Sequence, residues 1–342
     1  MHWSLMIDKA ILVLVLFGVS LFMAAYSTYA ERKIAAFLQD RYGPDRAGPW
    51  GLLQPLADGG KMFFKEEIIP LAADKLLFLA GPAVFMTTAL MTSAIIPWGK
   101  SFNFGGHEFS LQVADLNIGI LYIFAIVSIG IYGIIIGGWS SNNKFGFLGA
   151  IRASSQMISY ELSMGMAIIA ILLFTNTLSI REIVEQQKGF HWNVFYQPLA
   201  CLIFIICAFA ECNRTPFDLP ETETELVGGF HTEYSSMKLG LYLFAEYINM
   251  FISSAVISCL FFGGYNFPFI DSLHLPQNIA ALVSVGVFFA KICFFIFFFM
   301  WIRWTLPRFR YDQLMKLGWQ ILLPVSIVNV LLTGAWLTYF HK

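Results

Sequence analysis

Residues 10–30 read AILVLVLFGVSLFMAAYSTYA and run directly into Glu31-Arg32-Lys33. The stretch carries no charge and matches the roughly 20 apolar residues a helix needs to cross a bilayer core. A cleaved secretory leader has a shorter apolar run, about 7–15 residues, so this stretch reads as an anchor. Working outward, windows of similar length recur at 76–98, 116–139 and 319–340, again without a charge. Four more, at 157–180, 194–211, 239–262 and 279–302, hold Glu161, Glu211 at the end, Glu246 and Lys291 respectively. The expected fold class is therefore an all-α polytopic membrane protein of about eight transmembrane helices, with residues 1–342 forming a single membrane domain.

Composition agrees with this reading. The 342 residues are 58% hydrophobic and 13% charged, about half the ~25% charge content of globular chains. A net charge of -1 supplies no broad basic field for nucleic acid. The five cysteines form no C-x-x-C pair, and all but Cys212 lie in apolar runs. They read as small packing residues, and no metal site is predicted.

Charge placement orients the chain. Fifteen of the 21 lysines and arginines fall in alternate links, those joining the first window to the second, the third to the fourth, the fifth to the sixth and the seventh to the eighth. The positive-inside rule places those links in the cytoplasm and both termini on the non-cytoplasmic side.

Two of these links have unusual content. Residues 51–64 combine Leu and Phe with Asp58 and Lys61. They suit a short amphipathic interfacial helix, broken or bent by Pro55 and Gly59-Gly60, with a plain surface loop as the alternative. The link after the fifth window sets Glu211, Asp218, Glu221, Glu223, Glu225 and Glu233 against one basic residue, Arg214. A solvated acidic loop is one reading. The interleaved Pro216, Phe217, Pro220 and Phe230 favour a segment packed into protein, whose crowded carboxylates bind protons near neutrality.

A charge in mid-membrane costs roughly 2.5–3.5 kcal/mol on insertion scales, so Glu161, Glu246 and Lys291 are functional candidates. The plainer readings are a Glu246–Lys291 ion pair between two helices and Glu161 as an ordinary helix-end charge. Arg303, Arg308 and Arg310 follow the seventh window as topology anchors, as contacts for anionic lipid, or as holders of the acidic links.

Several motifs carry a more specific signal: Ala30-Glu31-Arg32-Lys33 with Gln39-Asp40-Arg41-Tyr42-Gly43-Pro44, then Gly51-Leu52-Leu53-Gln54-Pro55-Leu56-Ala57-Asp58. Ile151-Arg152-Ala153-Ser154-Ser155-Gln156 precedes Ser159-Tyr160-Glu161, and Ala210-Glu211-Cys212-Asn213-Arg214 precedes Thr215-Pro216-Phe217-Asp218-Leu219. Glu233-Tyr234-Ser235 and Leu306-Pro307-Arg308-Phe309-Arg310-Tyr311 complete the set. Together they resemble the H-type membrane component, also called subunit 1, of proton-translocating NADH:quinone oxidoreductase, respiratory complex I, over nearly the whole chain.

The resemblance implies a multi-pass component of the bacterial inner membrane that carries no redox cofactor of its own. NADH, FMN and iron–sulfur clusters would reside on partner subunits, with quinone as substrate. Partners would be the hydrophilic quinone-module subunits on the cytoplasmic side and small and antiporter-like membrane subunits alongside. Carried over by motif, Glu31, Arg32, Asp58, Lys61, Phe217 and Phe230 would line the quinone chamber. Glu161, Glu211, Glu221, Glu223, Glu225 and Glu246 would form a proton relay. Gln320, Asp45 and Ser236 depart from the family's common Lys, Asn and Gly. The membrane subunit of an energy-converting hydrogenase is the nearest alternative within the family. A secondary transporter is the alternative from another class, resting only on Glu161, Glu246 and Lys291.

Overall fold

A computed structural model describes residues 2–104, 107–218, 227–268 and 276–340. The first helix, α1 (His2–Leu38), spans 37 residues, roughly 55 Å at about 1.5 Å per residue. It outruns the ~30 Å apolar layer of a bilayer, so Glu31 and Arg32 ride on its last turns beyond the uncharged run. Next come α2 (Gln54–Phe64), α3 (Lys75–Thr92), α4 (Gly119–Ser140) and α5 (Lys144–Thr175). Between α3 and α4, β1 (Phe102–Phe104) pairs antiparallel with β2 (His107–Phe109), with Phe102 opposite Phe109. The chain continues through α6 (Ile180–Gln186), α7 (Asn193–Tyr196), α8 (Pro198–Glu211), α9 (Ser236–Phe261) and α10 (Gln277–Thr305). It closes with α11 (Tyr311–Lys316), a π-helical turn at Leu317–Leu322 and α12 (Leu323–Phe340).

Among the described residues, seven helices are long and apolar enough to cross a membrane, and the protein is an all-α polytopic membrane protein. The eighth expected span is shorter than its window. At 194–211 the helix is interrupted before Pro198, leaving 14 residues in α8, about 21 Å. Proline lacks the N–H needed inside a helix but suits a first position, which is where Pro198 stands. Gln197, at the break, is held by Thr333 and Asn329 of α12.

Pro55 and Gly59-Gly60 also behave differently from expectation. Pro55 stands in the first turn of α2, and the two glycines continue the helix unbroken to Phe64. Asp74 caps α3 by accepting from the Leu76 and Leu77 amides, and left-handed Asn176 ends α5. Glu161 lies well inside α5, not at its end.

Successive long helices alternate in direction. The basic links and the end of α1 gather at one end of the bundle, while Lys9 at the other end bonds the carbonyl oxygen of Gln112. α9 is the central element, packed against α1, α2, α3, α6, α8 and α10. At the α4–α9 crossing, a Cβ on Gly137 would stand 2.0 Å from Tyr242 Oη. Only glycine fits there, and the Tyr242 hydroxyl donates to the Gly133 carbonyl instead, at 3.0 Å.

Candidate functional site

A cavity of about 360 Å³ opens at the basic end among α1, α2, α9 and α10, lined by Glu31, Arg32, Asp58, Met62, Tyr247 and Trp304 among others. The sequence-predicted charges meet here. Arg32 Nη1 lies 2.8 Å from Asp58 Oδ2, Lys61 Nζ lies 3.7 Å from Asp58 Oδ1, and Gln54 donates to Asp58 at 3.0 Å. Gln54, Asp58 and Lys61 share one face of α2 by their i, i+3 and i+4 spacing. Arg32 and Lys61 are exposed, so these pairs set the polarity of the rim more than they stabilise the fold.

Behind the rim lies a buried charge hub. Glu31, 7% exposed, receives Arg303 Nη1 at 2.7 Å, Arg214 Nη1 at 3.2 Å and the Tyr247 hydroxyl at 3.0 Å. The Arg214 guanidinium also lies over the Tyr247 ring at 4.0 Å. Burial works against the Arg214 charge, but Tyr247, Glu31 and Glu246 outweigh it and hold the guanidinium protonated more firmly than a free arginine. Of the other two arginines, Arg308 pairs with Asp218 at 3.1 Å and Arg310 with Asp312 at 3.1 Å. The Phe309 amide donates to the Pro216 carbonyl. The 303–310 link therefore clasps the start of the acidic link, one of the three roles its arginines suggested.

The intramembrane carboxylates lie deeper. Glu246, 3% exposed, is within electrostatic reach of Arg214. One turn further along α9, Asn249 lines two internal cavities that Glu211 also lines. Glu211 in turn senses the charge of Glu161, and the Ser128 hydroxyl of α4 donates to Glu161. The helical period explains the arrangement. Gly240, Leu243, Phe244 and Tyr247 face the surface cavity, whereas Asn249, Ile252, Ser253 and Val256 face the interior. α9 is thus the wall between rim and relay.

Other predicted residues lie elsewhere. Phe217 packs in the core on Tyr160 and Phe309, and Phe230 on Tyr242 and His231; neither lines the surface cavity. Lys291 does not pair with Glu246. Its ammonium donates to the carbonyls of Phe262, Gly264 and Asn266 at 2.7, 2.8 and 2.7 Å, just past the end of α9. Glu246 and the end of α9 are fifteen residues apart in one helix, roughly 22 Å. Glu221, Glu223 and Glu225 lie outside the described residues.

Several residues of the site carried weaker sequence signals. Gln156 donates to the carbonyls of Ala210 and Phe217, both at 2.8 Å, and so fixes the turn after Glu211. Tyr247 and Asn249 follow Glu246 closely, but nothing in a run of apolar residues marks which face each takes. Arg214 stood out as the one base among six acids, without its partner Glu31 being visible.

Fold and site together define a polytopic membrane protein with a charged surface cavity backed by a buried row of carboxylates. The family model described as NADH dehydrogenase matches residues 10–334. The chain is 64% identical over 335 residues to an H-type NADH-quinone oxidoreductase subunit of Cytophaga hutchinsonii, covering 98% of both chains. To the H-type subunit of the NADH-quinone oxidoreductase of Flavobacterium johnsoniae it is 60% identical, covering 98% of this chain and 96% of the relative. To NADH-quinone oxidoreductase subunit 8 of Rhodothermus marinus it is 45% identical, covering 99% and 98%. The chain belongs to the NADH dehydrogenase family.

Proposed function

We propose that the chain is the membrane subunit of a proton-translocating NADH:quinone oxidoreductase that helps form the quinone chamber and couples quinone reduction to proton movement. The observation that carries this reading is the two-sided role of α9, with Tyr247 on the surface cavity and Glu246 and Asn249 toward the relay. A cavity of about 360 Å³ falls within the ~300–1,000 Å³ range of small-molecule pockets. Its apolar lining from Met62, Leu243, Phe244 and Trp304 suits a lipid-soluble ring and tail, and Arg32 and Asp58 supply polar partners at the rim.

In this mechanism the chain contributes charge and proton handling, and the NADH site, FMN and iron–sulfur clusters belong to partner subunits. A change of charge in the chamber is felt first at Glu31, which shares Arg214 with Glu246 through space. A weaker hold of Glu31 on Arg214 lets the guanidinium's field act more strongly on Glu246. Glu211, with Glu221, Glu223 and Glu225, then takes or passes protons toward Glu161 and Glu246. The basic links face the cytoplasm and the quinone-module subunits, and both termini face the opposite side of a bacterial inner membrane.

The test is Glu211→Gln in the assembled enzyme reconstituted into liposomes, with quinone reduction and proton uptake measured together. The expected result is a fall in protons moved per electron. An unchanged ratio would overturn the relay role of Glu211.

A further inference from the structure

Beyond Glu211, away from the basic end, a cavity of about 50 Å³ continues through the bundle. Its polar lining, Glu211, Asn249 and Ser253, is at the mid-bundle end. Toward the opposite end its walls include Ile120, Ile123, Ile168, Ile180, Val256 and Leu260. The one polar side chain beyond Ser253 is Thr92, whose hydroxyl is turned back onto the Ala89 carbonyl at 2.6 Å. These walls come from α3, α4, α5, α6, α8 and α9, so the cavity lies on the bundle axis, in line with Glu211.

A cavity must offer a water about two to four polar partners to hold it, and cavities lined by Leu, Ile and Phe stay dry. Narrow apolar segments close membrane pores by dewetting in the same way. We propose that this cavity is a proton barrier: a dry plug that gives Glu211 access to protons from the basic end alone and stops them from returning through the opposite face. The inference rests on the reading of Glu211 as a relay member. It assigns a function to side chains that take no part in quinone or carboxylate chemistry, and it explains why the far half of this cavity is apolar but for Thr92.

The plug can be wetted by exchanging wall residues for polar ones of similar or smaller size. In Ile123→Thr/Val256→Thr, each new hydroxyl offers water a partner, and Ile168→Asn does so more strongly. The assembled complex carrying each variant is reconstituted into liposomes, and passive proton entry is followed under an imposed potassium-diffusion potential without NADH. Quinone reductase activity reports that assembly is intact. Passive proton permeability is expected to rise about ten-fold, which corresponds to ~1.4 kcal/mol off the barrier. Adding Glu211→Gln should return it to the parental level, and the apolar control Ile168→Leu should leave it unchanged. If either polar variant assembles and leaks no more than the parent, the barrier lies elsewhere and the proposal fails. If the leak appears but survives Glu211→Gln, water passes beside Glu211 and its place at the end of the plug is overturned. Neither outcome depends on the ratio of protons to electrons in the Glu211→Gln single variant, so failure of the relay reading remains separately visible.

Discussion

Ser236 begins α9 with φ 55, the left-handed region in which a Cβ is strained. Its hydroxyl offsets part of that cost by donating to the Met62 carbonyl at 2.9 Å, which ties α9 to α2. A glycine in its place relieves the strain and loses the bond. Ser236→Gly is therefore expected to change stability by no more than about 0.5 kcal/mol, because a hydrogen bond and αL strain are each worth ~1 kcal/mol. Ser236→Ala keeps the strain, loses the bond and should destabilise by about 1 kcal/mol; thermal unfolding of the detergent-purified complex distinguishes the two. At the rim, Arg32→Ala frees Asp58 from its 2.8 Å partner. Quinone turnover should fall while NADH oxidation by artificial acceptors persists, and normal apparent quinone affinity would reduce Arg32 to a structural part.

Among the elements, α9 and α4 depend on a single missing methyl group. Gly137→Ala places a Cβ 2.0 Å from the Tyr242 hydroxyl oxygen, with α3 close on the same side through Gly81. The expected result is loss of assembled complex, partly restored by adding Tyr242→Phe, which removes the obstructing oxygen; blue-native gels of membranes read both. Element positions were legible in the sequence wherever length and hydropathy sufficed, as for α1, α4 and α10. Their ends were not, because caps, Pro198 and the extension of α5 to Lys144 depend on contacts that an apolar window does not encode. Charge marked the residues of the surface cavity: Glu31, Arg32 and Asp58 line it, and Lys61 pairs with Asp58 beside it. Phe217 and Phe230 were less legible, since among 35 phenylalanines a core ring and a cavity ring look alike. Lys291 illustrates the same limit, because its partners are backbone carbonyls that no residue identity advertises.

Across the whole molecule, the hub at Glu31 joins α1, the turn after α8, α9 and α10. Removing one member of a buried ion pair typically costs about 3–5 kcal/mol, because the remaining charge is stranded. Arg214→Met should therefore deplete the assembled complex. Arg214→Lys keeps the charge and loses both the planar stack on Tyr247 and the forked donors. It is expected to assemble with reduced quinone-linked proton movement, read in the same liposome assay; wild-type coupling in Arg214→Lys would mean that charge alone suffices at this position. The hub also bears on how the chain is made. Glu31 leaves the ribosome 183 residues before Arg214 and longer still before Arg303, so through most of synthesis its carboxylate has neither arginine. Insertion of the first helix must therefore tolerate an unneutralised acid at its end, and a chain truncated before α10 keeps half of that debt. Incomplete copies thus carry a chemical mark of their incompleteness at the end of the first helix.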